Sequence, residues 1–134
     1  MKFEYIQDPR CLKIKIFGKN MTDLFFNAGI AMMTFLYPKN IEIPGYEVKE
    51  KINIRSRSKE LLLADWLSLL LYFSEQKKVC YNNFYFEKIT ETELDAVAYG
   101  RRSNLKESIK SLASRHLIIS KTGDGFETFV SFDI

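Results

Sequence analysis

The side chains able to do chemistry in this 134-residue chain are few and scattered. His116 is its only histidine. No nucleophile or orienting carboxylate stands at motif spacing from it, and an unpartnered imidazole reads as a polar residue at the base of a strand. Cys11 and Cys80 lie in unrelated contexts without CxxC spacing, so neither a zinc site nor a redox pair follows. No phosphate loop, dinucleotide-binding glycine pattern or nucleophile elbow is present. What remains is a set of cations and aromatics, Arg55, Arg57, Arg101 and Arg102 with Tyr81, Tyr85 and Phe86, whose types could hold RNA by charge and stacking. No binding-module signature accompanies them, so the plainer reading is a solvated surface over core aromatics. Asp65, beside Trp66 in an apolar run, is a candidate partner contact; the alternative is a structural hydrogen bond. A self-sufficient enzyme is not visible, and no ligase, nuclease or nucleotide hydrolase activity is expected of the chain alone.

Composition sets the frame. With 46% apolar and 28% charged residues, the chain reads as one domain over 1–134 with enough length to bury a sizeable core. A net charge of +3 permits contact with RNA or an acidic protein surface but does not demand it. The opening MKFEYIQDP has no apolar segment of the signal-peptide kind, which predicts a cytoplasmic protein with reduced thiols.

The element that must position everything else is LLLADWLSLLLYF, residues 61–73. Leucine-rich and free of Gly and Pro, it predicts a helix. Asp65, Ser68, Tyr72 and Glu75 fall on one narrow face, so the rest of its surface must be covered by other parts of the chain. A second helix opens at Asn20, a suitable N-cap with Asp23 in the first turn, and stops before Pro38. LKIKIF and VKEKINIR alternate as strands do, VCYNNFYFEKIT and TELDAVAYG follow as two more, and LIISKT-GDG-FETFVSFDI is a hairpin signal. RRSNLKESI reads as a loop or short helical piece, and SIKSLASRH as an irregular start to the penultimate strand. The fold class is α+β: a two-layer domain with two long helices on one face of a single, largely antiparallel sheet.

Six stretches taken in order resemble the archease family over nearly the whole chain. FEYIQ…LKIKIFGK is similar to the family's opening strand pair, DLFFNAGIAM to its first helix, and LLLADWLSLLLYF to its L-L-V-D/E-W-L-N-E-L-L-F motif. AVAYG, LKESIKSLASRHLIISKT and DGFETFVSFDI then follow the family's closing motifs. The resemblance implies a non-enzymatic accessory factor. Its partner would be the tRNA-splicing RNA ligase, which uses GTP and a divalent metal to join ends bearing a 2′,3′-cyclic phosphate or a 3′-phosphate. The factor promotes guanylylation and turnover of that ligase, so its own contact with tRNA would be indirect.

The same resemblance implies a metal ion, Ca²⁺ or Mg²⁺, held by an N-terminal H-T-A-D aspartate, the C-terminal aspartate and the last residue. Here Asp133 and Ile134 are retained, but H-T-A-D is replaced by Asp8-Pro9-Arg10-Cys11. Ungapped alignment sets Cys11 at the aspartate position and Asp8 at the histidine position. A hard cation takes oxygen ligands, so thiol for carboxylate weakens the site. Asp8 substitutes only if the Pro9 turn folds it inward, since positions three apart in an extended segment face opposite ways. A second departure is a shortened loop at 101–108. The competing reading is a metal-free, chaperone-like protein-binding adaptor that kept the fold and lost the ligase role.

Overall fold

The computed structural model describes residues 2–105, 107–113 and 117–134; the expectation for His116 lies outside the described residues. The order of elements is β1 (Phe3–Ile6), β2 (Leu12–Gly18), α1 (Met21–Leu36), a 3-10 turn (Asn40–Glu42), β3 (Val48–Arg55), α2 (Lys59–Lys77), β4 (Val79–Ile89), β5 (Glu93–Arg102), β6 (Ser111–Ala113), β7 (Ile119–Thr122) and β8 (Gly125–Asp133). The α+β class stands. The single sheet does not: the strands form two antiparallel sheets, β1-β2-β8-β6 with β7 also on β8, and β3-β5-β4. Alternation in a sequence marks a strand and its buried face but not its partner. Here the N-terminal β2 pairs with the C-terminal β8, from Leu12↔Phe132 to Gly18↔Phe126. The segment read as an irregular start to the penultimate strand contains a separate strand, β6, paired with the end of β8.

Local chemistry explains the helices. The Asn20 side chain accepts the Asp23 amide at 2.9 Å and opens α1, while Ser58 caps α2 through the Leu61 amide at 3.2 Å. Lys78 closes α2 in a left-handed conformation, φ 56°, the usual device for turning the chain out of a helix. Helix α1 packs against β2 on one side and β4 on the other. Gly29 permits the second contact, because a Cβ there would overlap the Phe84 ring.

Trp66 is the hub. It is fully buried, its Nε1–H donates to the Phe25 carbonyl at 3.0 Å, and its ring meets those of Phe84 and Phe86, each at 5.2 Å. Such contacts add to area burial and join α1, α2 and β4 in one core. On α2, Asp65, Ser68, Tyr72 and Glu75 are exposed as their spacing predicts. No described helix is long and apolar enough to cross a membrane.

Candidate functional site

The corner singled out by the sequence forms where β2 begins and β8 ends. Phe132 is flanked by Leu12 on one side and Leu112 on the other, and Asp133 pairs with Ser111. The β2–β8 register carried one residue further sets Cys11 opposite Asp133. Leu12 and Phe132 point into the core, so alternation turns Cys11, Asp133 and Ser111 to the other face of the sheet. The Ser111 hydroxyl donates to Asp133 Oδ2 at 3.2 Å, and the Lys110 amide donates to the Asp133 carbonyl at 2.7 Å. Asp133 is exposed, and Ile134 projects beyond the sheet with about half its surface in solvent.

Asp8 departs from a plain extended strand. Its Oδ1 accepts the Arg10 amide at 2.9 Å and Arg10 Nε at 3.4 Å, an aspartate-stabilised turn of the kind that Asp-Pro sequences favour. These bonds, the backbone one first, hold the Asp8 carboxyl below the usual carboxylate range, with a smaller contribution from the Cys11 thiol. The turn thus brings Asp8 to Cys11 but commits one carboxylate oxygen to Arg10. Asp133 likewise gives an oxygen to Ser111. Among the described residues no three of His, Cys, Asp and Glu converge to hold a metal ion. As the side chains stand, the donors do not fit a hard divalent cation, which takes six to eight oxygens.

Asp65 is exposed, and its Oδ2 accepts the Ser56 hydroxyl at 2.6 Å. The bond ties α2 to the segment that follows β3, which is the structural role weighed for it. The aromatics offered for RNA divide. Tyr81 is fully buried, its hydroxyl without a hydrogen-bond partner among the described residues, and Phe86 packs on Trp66; neither can stack a base. Tyr85 is exposed. Of the cations, Arg55 pairs with Glu93 at 3.4 Å and Arg102 with Glu47 at 4.0 Å. Sequence reasoning passed over Tyr46, Lys49, Lys51 and Tyr99, which lie beside Tyr85 on the outer face of β3-β5-β4. The signal was present in the alternation of VKEKINIR, which turns Lys49 and Lys51 one way and Ile52 and Ile54 the other. It also passed over a cleft of about 730 Å³ at the opposite end of β2 and β8, lined by Phe17, Asn27 and Phe126 among others. There Gly18 and Gly125 cross so closely that a Cβ on Gly125 would overlap the Gly18 carbonyl.

Two antiparallel sheets with a pair of helices packed against them make this a small α+β protein. The chain belongs to the archease family: the model of the Archease protein family (MTH1598/TM1083) matches residues 3–134. It is 32% identical to the protein archease of Methanosarcina barkeri over 142 aligned positions, covering 99% of this chain and 96% of that one. It is 30% identical to that of Methanosarcina acetivorans with the same coverage. The fold is that of Methanobacterium thermoautotrophicum protein 1598, with a TM-score of 0.83 at 19% identity over 99% of both chains. A Thermotoga maritima archease, described as a possible chaperone, gives 0.64 at 15% identity over 96% of this chain and 94% of that one.

Proposed function

We propose that this chain is an accessory factor that promotes guanylylation and turnover of a GTP-dependent RNA ligase, with the Asp133 end of β8 as its working tip. The observation that carries the reading is a family match running from 3 to 134 together with an aspartate at the expected terminal position, exposed and oriented by Ser111. The chain acts on a protein partner, in the cytoplasm, and does no chemistry of its own. Purified protein added to the cognate ligase with GTP and broken tRNA halves should convert a single round of sealing into repeated turnover. A ligase whose turnover does not change would overturn the reading.

The altered corner favours one alternative, a metal-free adaptor of the chaperone-like kind. The two readings differ at Cys11. Ca²⁺ or Mg²⁺ should bind the natural chain weakly, because one hard anionic ligand is replaced by a thiol and Asp8 is drawn to Arg10. Cys11→Asp should tighten divalent binding at least tenfold by titration calorimetry, with the thermal midpoint of the metal-free protein unchanged. Unaltered affinity would mean that position 11 does not face the ion, and the adaptor reading would gain.

A further inference from the structure

The β3-β5-β4 sheet has an inner face buried on the helices and an outer face of a different character. Inward go Ile52, Ile54, Phe84, Leu94, Ala96 and Ala98, all buried. Outward, the register aligns Lys49 with Tyr99 and Lys51 with Val97 on one side, and Asn83 with Tyr99 and Tyr85 with Val97 on the other. Val97 is thereby the floor between Lys51 and Tyr85. Tyr85 is 58% exposed, and Lys49, Lys51 and Asn83 are exposed with it.

A third aromatic is held over one end. Asn82 Nδ2 donates to the carbonyls of Ile43 at 3.0 Å and Gly45 at 3.1 Å, pinning the loop before β3 onto β4. Gly45 turns that loop at φ 86°, and a Cβ placed on it would lie 3.6 Å from Arg101 Nη1. The next residue, Tyr46, is 52% exposed, and its ring lies 4.8 Å from that of Tyr99.

Charge on this face is divided. At the far end Glu93 is matched by Lys88 at 2.7 Å and by Arg55 at 3.4 Å, and Asp95 accepts a hydrogen bond from the Asn53 amide, while Glu87 stands exposed beside the irregularity of β4. At the aromatic end, Lys49, Lys51 and Arg101 take part in no ion pair among the described residues. The carboxylate closest in register, Glu47, is occupied by the Arg102 amide and guanidinium. Two exposed tyrosines, Tyr85 and Tyr46, the latter backed by the half-buried Tyr99, beside cations without an ion pair among the described residues match a polyanion whose flat rings can stack.

We propose that the outer face of β3-β5-β4 binds single-stranded nucleic acid, with Tyr85 and Tyr46 each stacking a base, Tyr99 holding the Tyr46 ring in place, and Lys49, Lys51 and Arg101 meeting the phosphates. This is a direct contact of the chain itself, separate from the Asp133 tip, and it is measured without any ligase. The test uses a fluorescein-labelled, unstructured pyrimidine RNA of ten nucleotides and the full chain, read by anisotropy. Three phosphate contacts give a slope of log affinity against log salt of about −2, or roughly a 20-fold loss between 50 and 200 mM salt. Tyr85→Ala should weaken binding roughly 5- to 100-fold, the usual effect of losing one stacking platform, and Tyr85→Phe should restore it. Lys49→Glu with Lys51→Glu should weaken binding and flatten the salt slope, whereas Lys19→Glu, at the opposite cleft, should change affinity less than twofold. No binding at 50 mM salt, equal affinity for a duplex of the same length, or indifference to Tyr85→Ala would each overturn the proposal. Loss of ligase stimulation in Tyr85→Ala without RNA binding by the natural chain would mean that a protein covers this face, and would overturn it too.

Discussion

Around Trp66 each side chain is fixed by several others. The indole donates to α1, meets the Phe84 ring of β4 edge-on and the Phe86 ring at a tilt, and fills the space beneath α2. At the corner formed by residues 8–11 and the end of β8, each side chain answers to one or two local partners: Asp8 to Arg10 and, less, Cys11; Asp133 to Ser111. The hub is closed to solvent and the corner is open. Change at the hub therefore propagates through the whole packing arrangement, because interiors are close-packed and relax only in part. Change at the corner is absorbed locally. The corner carries Asp8-Pro9-Arg10-Cys11, and the family match still runs over 3–134.

The largest effect is expected at the hub. Trp66→Ala should cost about 3–5 kcal/mol in denaturant unfolding, the range for a fully buried large aromatic. A loss under about 1 kcal/mol would break the contrast, because it would make the indole as dispensable as a surface residue.

The two thiols report the same contrast without disturbing the fold. Cys80 is buried on β4, and burial pushes its thiol up to about 12. Cys11 is partly exposed. A colorimetric thiol reagent at pH 8 should titrate one cysteine per native chain promptly and the second only after denaturation. Two rapid equivalents would show that β4 opens easily and that the hub is less closed than its packing indicates.

The smallest effect is at Asp8. Its folded-state carboxyl titrates below the unfolded one, so its contribution to stability is present above the ordinary carboxylate range and is lost as the pH falls through the lower, folded value. An NMR titration should place the Asp8 midpoint below that of a free aspartate, and Arg10→Gly should move it upward. An ordinary midpoint in the natural chain would mean that the Asp8–Arg10 turn does not persist in solution.

Much of the hub was legible in the sequence, because burial on all sides leaves a pattern: a leucine-rich helix with Asp65, Ser68, Tyr72 and Glu75 on its one wet face. The cap Asn20 was legible for a similar local reason, since a cap serves the turn that follows it. The pairing of β2 with β8 was not legible, because it joins the two ends of the chain through backbone bonds that any sequence can make. Nor was the direction of Asp8, which depends on a turn that overrides strand alternation. The outer face of β3-β5-β4 was missed for a third reason. Its tyrosines and lysines come from β3, β4, β5 and the loop before β3, and only the register brings them together.

The central claim is that the exposed aspartate at the end of β8 is the working tip and that the fold beneath does not depend on it. Asp133→Ala, assayed for stimulation of the cognate ligase with GTP on broken tRNA halves, tests it most directly. The expected result is an unfolding free energy within about 0.5 kcal/mol of the natural chain, as for a surface substitution, and stimulation reduced to the level of the ligase alone. Full stimulation by folded Asp133→Ala would contradict it.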